Sequence, residues 1–393
     1  MKDDITKLDI SLKENPPYYL GHNIGKKFSS AVKDFFYDRL FVVTDNNLLN
    51  LFGKDIQETF EGLPYKMITI SGAESEKSVT TLESLCETLI DEGITKESII
   101  VAFGGGVIGN ISGLAAALIF RGVRFIEMPT TFMHQTDGTL SNKQAVNGKK
   151  NKNLFGCYYA PLFIWVDTKF VFFESSKRIK CGLVESIKNA LIENRKFLVQ
   201  IDEYLKGDIK DREKLQKIIL LSVLSKIEIL KKDPGEKNYG VILEYGHTFG
   251  HAIERLSNGA KPHGECVAIG MIISAKISHR LGLLNDAGLQ THYDFLRDKI
   301  FLDLTIPSHI TSKILMDTIF TDNKKTSRGV RYVLLADINK IYNPDGDFMT
   351  QLDPVLVTEI INEYMVEMKD SRYNVKCRMG EEFEKPVLEH IPV

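Results

Sequence analysis

The first half of the chain alternates short apolar runs with segments in which apolar residues recur every three or four positions. The runs at 39–45, 66–70, 98–103, 125–129 and 162–167 are largely apolar and close with polar or glycine-rich residues. Runs of this length and character are typical of strands buried on both faces of a parallel sheet.

Segments with helical periodicity separate these runs. The segment 110–120 is small and apolar enough to pack closely on a sheet, and the segment 78–92 places four apolar residues on one helix face. The four residues are Leu82, Leu85, Leu89 and Ile90. Strands that alternate with helices indicate an α/β domain with a mostly parallel sheet. We therefore predict a Rossmann-like α/β domain over residues 1–178.

The pattern becomes mainly helical after about residue 178. Four segments have helical periodicity: 181–200, 212–232, 241–256 and 264–283. Only 331–335 has the character of a strand. The sequence therefore predicts a mainly α-helical second domain over residues 179–393. The residues after about 369 lack clear periodicity, and we expect them to be loosely ordered.

Composition and charge are those of an ordinary chain of about two domains. Of 393 residues, 43% are hydrophobic and 26% are charged, and the net charge of −2 gives no sign of a nucleic-acid partner. The five cysteines are scattered and form no CxxC pair, so neither a disulfide framework nor a cysteine zinc site is indicated. The N-terminus lacks an apolar signal region, and no run approaches the ~20 apolar residues of a membrane span. We expect a cytoplasmic protein without nucleic-acid or membrane partners.

Residues Gly104 to Gly109 fit the pattern GxGxxG between a predicted strand and a predicted helix. Glycines let the backbone approach a pyrophosphate, and a helix N-terminus favours negative charge. The pattern comes too late to be the first turn of a standard Rossmann domain, and a tight strand-to-helix turn is an equal alternative. Asp45, after an earlier strand, is either an acceptor for the hydroxyls of an adenosine ribose or a helix cap.

Glu185, His247, His251 and His263 are the residues that most suggest a metal site. His247 and His251 are four apart and share a helix face, and two imidazoles with a carboxylate make a catalytic zinc site with an open position for substrate. The alternative is a pair of histidines packed within a helix, because only the fold can bring Glu185 and His263 to them. A metal beside a dinucleotide suggests redox chemistry at an alcohol carbon.

The stretch 130–153 is polar, has little periodicity and is rich in lysine and amide side chains. Lysines such as Lys143 and Lys152 suit a phosphate group because they are compact point charges. A phosphorylated substrate explains them, and a solvated loop is the alternative. His134 and Gln135 receive no role from the pattern.

In this order, these segments resemble the sugar phosphate cyclases, the family of 3-dehydroquinate synthase. The matching segments are GGGVIGN (104–110), RGV (121–123), PTT (129–131), ESIK (185–188), GHTFGH (246–251) and HGECVAIGM (263–271), with Asp137, Lys143, Lys152 and Asn153. The likeness runs from about residue 35 to 340. It implies an N-terminal NAD-binding α/β domain, a C-terminal helical metal-binding domain, and a homodimer with the active site between domains.

The resemblance also implies a role for each matching residue. Its metal ligands fall on Glu185, His247 and His263, which makes His251 a substrate-side or proton-handling residue instead of a ligand. The implied NAD-binding positions are Asp45, Glu74, Lys77, Gly105, Gly106, Asn110, Thr130, Thr131 and Lys152. The implied substrate contacts are Asp137, Lys143, Asn153, Lys188, Lys226, Glu236 and Glu244, with Arg121 reaching the neighbouring subunit's site. The candidates for catalysis are Lys143, Glu236, Glu244 and His251.

Two departures from dehydroquinate synthase indicate another branch of the family. Gly240 and Glu244 stand where that enzyme has an Arg and an Asn. Loss of the Arg removes a bidentate carboxylate partner, and Glu244 repels a carboxylate while accepting hydrogen bonds from hydroxyls. Lys143-Gln-Ala-Val-Asn147 and Asn110, in place of Gly-Gly-Lys-Thr and Asp, change in the same direction. These features resemble the 2-deoxy-scyllo-inosose synthase branch.

The resemblance implies conversion of a hexose 6-phosphate, expected to be glucose 6-phosphate, into the carbocycle 2-deoxy-scyllo-inosose. The expected steps are oxidation at C4, phosphate elimination, reduction, ring opening and intramolecular aldol closure, with NAD regenerated. One divalent metal, zinc or cobalt, is implied, because both suit two His and a Glu. The alternatives are 3-dehydroquinate synthase itself, a metal-dependent polyol dehydrogenase, and a non-catalytic relative.

Overall fold

The computed structural model describes residues 6–8, 16–149, 152–233, 235–321 and 329–369. The chain divides into two compact units, and the division falls between Glu174 and Ser175; the sequence placed the domain boundary at 178. The predicted loosely ordered tail after residue 369 lies outside the described residues. None of the helices in the described part of the chain is both long and apolar enough to cross a membrane.

The first unit contains a seven-stranded sheet in the order β1-β2-β9-β6-β5-β3-β4, in which β1 is antiparallel and the other six strands are parallel. Its strands are β1 (Thr6–Leu8), β2 (Tyr18–Gly21), β3 (Leu40–Thr44), β4 (Tyr65–Thr69), β5 (Ile99–Gly104), β6 (Arg124–Pro129) and β9 (Ile164–Asp167). Every residue of β3, β5 and β9 is buried, which is why these strands appear in the sequence as continuous apolar runs. The predicted α/β fold is confirmed.

Helices cover both faces of this sheet and enclose two apolar cores. They are α1 (Phe28–Val32), α2 (Asn46–Phe60), α3 (Val79–Asp91) and α4 (Gly106–Leu118). Leu82, Leu85 and Leu89 of α3 are buried as predicted, but Ile90 is 47% exposed because it lies beside, not on, the buried face. Helix α4 begins four residues earlier than predicted, because the glycine-rich segment itself forms its first turn.

The stretch that appeared as a polar loop contains a hairpin of β7 (Lys143–Val146) and β8 (Phe155–Tyr158). Before it, His134–Gly138 form a π-helical turn. His134, Gln135 and Thr136 are buried there. The interpretation as a solvated loop is therefore wrong for residues 134–136 and 144–146, which are buried, whereas Lys143, Lys152 and Asn153 are exposed.

The second unit is mainly helical, as predicted. Its helices are α5 (Ser176–Ile192), α6 (Arg195–Leu205), α7 (Arg212–Lys232), α8 (His247–Leu256), α9 (His263–Arg280), α10 (Asp286–Tyr293), α11 (Ser312–Thr321) and α12 (Pro354–Glu367). A short hairpin joins β10 (Leu335–Asp337) to β11 (Lys340–Ile341), so the predicted strand 331–335 forms later than expected.

Two helix predictions in this unit need correction. The segment 181–200 is two helices, because the backbone of Glu193 and Asn194 is not helical. The segment 241–256 begins as a 3₁₀ turn at Tyr239–Glu244 and becomes α8 only after Gly246. Gly246 has φ +77°, a left-handed conformation that favours glycine.

Helices α8 and α9 approach so closely that their main chains touch. A Cβ atom on Gly270 would lie 2.0 Å from the carbonyl oxygen of Gly246, and a Cβ on Gly250 would lie 3.0 Å from Cα of Val267. Only glycine fits at such a contact. The first residue of each helix, His247 and His263, is therefore carried on a closely packed pair.

Candidate active site

The carboxyl ends of β3 and β5 lie side by side in the first unit. The chain runs from β3 outward to β4 and then crosses back to β5 on the other side of β3. Open α/β sheets bind ligands where the strand order reverses in this way. Asp45 follows β3, and Gly105 follows β5. The GxGxxG pattern, although late in the chain, therefore lies at the centre of the sheet.

Asp45 acts as the N-cap of α2, since its Oδ1 accepts a hydrogen bond of 2.9 Å from the Leu48 N–H. Its other oxygen faces Gly72, where a Cβ would lie 2.6 Å from Oδ2. One of the two carboxylate oxygens thus caps the helix, as the helix-cap interpretation of this residue predicts. The capped carboxylate lies directly after the carboxyl end of β3.

The glycine turn presents the N-terminus of α4. Gly105 is the N-cap and Gly106 the first helical residue, and both are half-buried. The N–H groups in the first turn of a helix have no intrahelical acceptor and favour an anion. Thr130 donates its N–H to the Gly104 carbonyl at 3.0 Å, and Thr131 packs 3.2 Å from where a Gly105 Cβ would lie. Both predicted threonines therefore border the turn.

Other residues predicted to bind NAD or substrate interlock beside this turn. Lys77 Nζ donates to Asn153 Oδ1 at 2.6 Å, and Lys152 Nζ lies 3.4 Å from Glu74 Oε1. The Asn147 amide also donates to Glu74 Oε1 at 2.9 Å. The structure brings together side chains from segments 74–77 and 147–153, which the sequence alone does not.

Two predicted substrate residues of this unit lie close in sequence to the interlocked group. Asp137 is half-buried in the π-helical turn, and Lys143 is the exposed first residue of β7. Arg121 lies elsewhere: it follows the C-terminal end of α4, which spans roughly 20 Å from the glycine turn. Its φ of 66° is a left-handed conformation held by the fold. A contact of Arg121 with its own glycine turn is therefore excluded by distance.

The second unit brings Glu185, His247 and His263 together. Glu185 lies in the middle of α5, and the two histidines begin α8 and α9. Nε2 of His247 and Nε2 of His263 lie 3.5 and 3.4 Å from Oε1 of Glu185. All three ligand atoms lie within 4.8 Å of one another. A tetrahedral ion with bonds of about 2.0–2.1 Å separates its ligands by about 3.4 Å, so these residues fit a divalent metal.

The buried carboxylate confirms that the chemistry of this donor set suits a cation. Glu185 is 3% exposed, and its Oε1 lacks a hydrogen bond among the described residues. An unsatisfied buried oxygen is costly, and an ion at this point would satisfy it. Burial raises the pKa of Glu185, but the charge of Lys188, supported by the neighbouring imidazole of His247, outweighs burial and holds the pKa well below its usual range. The carboxylate is therefore ionised and ready to bind a metal.

The remaining nitrogens of both imidazoles are hydrogen-bonded. Nδ1 of His247 lies 3.2 Å from the Tyr245 carbonyl, and Nδ1 of His263 lies 3.0 Å from Glu254 Oε2. Because a carbonyl only accepts, His247 carries its proton on Nδ1 and presents Nε2 as an acceptor. Burial lowers the pKa of His263, but Glu254 and Glu185 raise it to about 10. The negative charge that favours a proton there also favours a divalent cation.

Glu254 is a buried acid of this cluster that sequence reasoning missed. It is 7% exposed and lies on the same face of α8 as His247 and His251. Residues 247, 251 and 254 follow helical spacing, so the pattern was available in the sequence. A second group of possible metal-ligating atoms, His251, Glu254 and His263, shares His263 with the first. We interpret Glu254 as the acceptor that orients His263, because metal-bound histidines commonly donate to a carboxylate.

Three other residues predicted to bind substrate or to act in catalysis lie in the same unit: Lys188, His251 and Lys226. Lys188 is buried and its Nζ lies 2.5 Å from Glu185 Oε2, so it balances the negative charge of this carboxylate. The His251 ring centroid is 5.0 Å from that of His247. Lys226 is buried on α7.

Glu244 and Glu236 lie in the connection before α8. Glu244 is half-buried and ends the 3₁₀ turn, three residues before His247. Glu236 packs against Gly240, where an added Cβ would lie 3.0 Å from Glu236 Cβ and 3.3 Å from Asp233 Oδ2. The structure therefore leaves no room for a larger residue at 240 without a shift of Glu236.

Comparisons with known proteins agree with this arrangement. The family models of the 3-dehydroquinate synthase N-terminal and C-terminal regions match residues 67–180 and 182–325. A 2-deoxy-scyllo-inosose synthase from Streptomyces kanamyceticus is 33% identical over 355 residues, which cover 88% of this chain and 91% of the relative. The chain belongs to the 3-dehydroquinate synthase family. The prediction of a sugar phosphate cyclase is thereby confirmed at the level of the family.

Solved structures show the same architecture. The crystal structure of a 2-deoxy-scyllo-inosose synthase complexed with carbaglucose-6-phosphate, NAD⁺ and Co²⁺ matches with a TM-score of 0.80 and 30% identity over 92% of this chain and 99% of that one. A 2-epi-5-epi-valiolone synthase from Streptomyces hygroscopicus subsp. jinggangensis 5008, with NAD⁺ and Zn²⁺ bound, has a TM-score of 0.81 at 21% identity, covering 91% of this chain and 99% of that one. The second likeness shows the shared fold alone.

Proposed function

We propose that this chain is an NAD- and metal-dependent cyclase that converts glucose 6-phosphate into 2-deoxy-scyllo-inosose with release of phosphate. The observation that carries the proposal is the buried Glu185 oxygen, which faces two imidazole nitrogens at tetrahedral spacing. The similarity to 2-deoxy-scyllo-inosose synthases supports the choice of substrate. The chemical steps are those of the family: oxidation at C4, elimination, reduction and aldol closure.

The residues of each unit fit one of the two groups that this reaction needs. Glu185, His247 and His263 would hold zinc or cobalt, and the turn at Gly105 and Gly106 would hold the NAD pyrophosphate. Asp45, Glu74, Lys77, Thr130, Thr131 and Lys152 are the further candidates for NAD. When bound, the metal supplies a Lewis acid for a substrate hydroxyl, and the nicotinamide supplies reversible hydride transfer.

The chain's own side chains orient the substrate and handle its protons. Lys143, Asn153 and Lys188 are the candidates to hold the phosphate, and Asp137 and Lys226 are further candidates for contact with the substrate. His251 lies beside the metal ligands and is our candidate for holding or moving a proton at the reacting hydroxyl, with Glu236 as the second candidate. A general base must first be within reach of its proton.

Gly240 and Glu244 favour a sugar over a carboxylated substrate. Packing of Glu236 against Gly240 excludes an arginine there unless that segment moves, and Glu244 adds negative charge just before the ligand His247. A substrate carboxylate would thus lose its partner and meet a like charge. This argues against 3-dehydroquinate synthase activity, which is the second candidate function.

The direct test is incubation of the chain with glucose 6-phosphate, NAD⁺ and Co²⁺ or Zn²⁺. We expect phosphate release and a carbocyclic product identified by NMR and mass spectrometry, with no net NADH. Turnover of the carboxylated heptulosonate phosphate of dehydroquinate synthase, and not of glucose 6-phosphate, would establish the second candidate. Net NADH accumulation would indicate a polyol dehydrogenase, and no turnover of any of these would indicate a non-catalytic relative.

We also propose a homodimer in which Arg121 reaches the neighbouring subunit's site. The support is its position beyond the far end of α4, with a left-handed backbone. Light scattering measures the mass in solution, and mixing Arg121→Ala chains with chains that carry an inactive metal site tests whether activity is restored in mixed dimers.

A further inference from the structure

The strand β7 carries Lys143 outward and is anchored by the residue that follows it. Gln144 is 3% exposed, and its side chain enters a space next to α4. That space exists because Gly113 has no side chain: a Cβ there would lie 2.4 Å from Gln144 Oε1. Nε2 of Gln144 lies 3.4 Å from Glu127 Oε1 and 3.4 Å from the Tyr159 carbonyl.

A second anchor joins the same strand to the glycine turn. The Ala145 N–H donates to Asn110 Oδ1 at 3.0 Å, and Asn110 Nδ2 donates to the Gly106 carbonyl at 2.8 Å. Both ends of the Asn110 amide are thus used within the protein. The predicted role of Asn110 as a cofactor contact is better described as a tie between the dinucleotide turn and β7.

A third anchor follows at the end of the strand. The Asn147 N–H donates to the Lys77 carbonyl at 2.8 Å, and its side chain donates to Glu74 Oε1 at 2.9 Å. Three of the four positions after Lys143, namely 144, 145 and 147, are therefore held by residues beside the dinucleotide turn, or by the sheet beneath it.

The anchors matter because side chains alternate along a strand. A slip of β7 by one residue would turn Lys143 inward and Gln144 outward. The strand has only four residues and pairs with β8 alone, so backbone pairing specifies its register weakly. Glu127 supports the anchor without adding charge, since burial raises its pKa to about 8 and it stays protonated at neutral pH.

We propose that Gln144 and Asn110 are positioning residues that hold β7 in the one register that presents Lys143 to the substrate phosphate. This inference rests on the proposed function, because it assigns the phosphate to Lys143. It also means that the dinucleotide turn and the phosphate-binding lysine are parts of one connected network. A merely structural role would weaken phosphate binding even in the absence of Lys143. A positioning role weakens phosphate binding only when Lys143 is present.

A double-mutant cycle tests the inference with inorganic phosphate as the probe. Calorimetry measures phosphate affinity in the presence of NAD⁺ and Co²⁺ for the wild type, Gln144→Leu, Lys143→Ala and the double variant. We expect each single variant to bind phosphate roughly tenfold more weakly, and the double variant to be no weaker than Lys143→Ala. Asn110→Ala provides a second variant with the same expected non-additivity if Gln144→Leu fails to fold.

Cys157→Ser is the matched control, because Cys157 is the exposed cross-strand neighbour of Gln144 on β8. Its phosphate affinity is expected to equal that of the wild type. Additive effects of Gln144→Leu and Lys143→Ala would overturn the positioning role, as would unchanged phosphate affinity in Gln144→Leu.

Turnover of glucose 6-phosphate by the wild type separates the two proposals. A chain that shows the non-additive phosphate cycle but no turnover would refute the proposed function and leave the positioning role standing. Turnover with additive effects would do the reverse, and a wild type that neither binds phosphate nor turns over glucose 6-phosphate would overturn both.

Discussion

Replacing Glu127 by Gln is expected to make the first unit less sensitive to rising pH. Glu127 lies in β6, is 1% exposed, and its Oε2 has no hydrogen bond among the described residues. Burial raises its pKa from 4.5 to about 8, with the Gln144 hydrogen bond acting weakly in the opposite direction. Glutamine has a similar shape and stays neutral at every pH.

The sign and size follow from proton linkage. Between pH 4.5 and 8 the unfolded chain has released the Glu127 proton while the folded chain still holds it. The contribution of this proton to the free energy of unfolding is therefore fully present below pH 4.5 and is lost as pH rises through 8. A rise in pKa from 4.5 to about 8, at about 1.4 kcal/mol for each pH unit, gives an upper limit of about 5 kcal/mol. As pH rises from 4.5 to 8, we expect the free energy of unfolding of Glu127→Gln to increase by a few kcal/mol relative to that of the wild type.

The single tryptophan provides a local probe of this unit. Trp165 is 1% exposed in β9, the neighbour of β6 in the sheet. Urea unfolding followed by its fluorescence at pH 5, 7 and 8.5 measures the stability of wild type and variant. Glu97→Gln, an exposed acid in the same unit, serves as control and should follow the wild type. Parallel pH profiles for wild type and Glu127→Gln would refute the assignment of a protonated buried acid.

Three further predictions concern the proposed site. Glu254→Ala is expected to weaken Co²⁺ binding by about 10–100-fold, because His263 loses the acceptor that orients it; chelator competition measures this, and an unchanged dissociation constant would contradict it. Glu244→Arg is expected to lower glucose 6-phosphate turnover by roughly tenfold or more through loss of hydroxyl contacts, and steady-state kinetics that match wild type would show that Glu244 does not meet the substrate. Gly109→Ala places a Cβ 2.4 Å from His134 Nε2, so NAD⁺ affinity measured by calorimetry is expected to fall by about tenfold as the turn shifts; equal affinity would show that the turn tolerates the shift.

The sequence predicts those parts of the fold in which burial is apolar. The runs at 39–45 and 98–103 became β3 and β5 because almost every side chain in them avoids water. The strand β7 was missed because it has only four residues and one of its buried side chains is the polar Gln144, which a hydropathy pattern does not mark as buried. Helix α8 begins late because Gly246 turns the chain first, which spacing does not reveal.

The candidate site was predicted unevenly for the same reason. Spacing joined His247 to His251, whereas the structure joins His247 to Glu185 and His263 on three separate helices. Only the resemblance to a family supplied that combination, since side chains of distant segments meet through tertiary packing. Glu254 was available from helical spacing but was not recognised.

The glycine contact between α8 and α9 bears on how the chain holds its histidine pair. Where the two main chains touch, backbone contact and not side-chain rotamers sets the distance between the helices. The spacing between His247 and His263 therefore follows from backbone geometry. Substitutions at solvent-facing positions should leave the spacing of the two histidines unchanged. One added methyl group at Gly246 or Gly270 would push the two histidines apart. The tolerance of this protein to substitution is therefore narrow at two residues that carry no chemistry of their own.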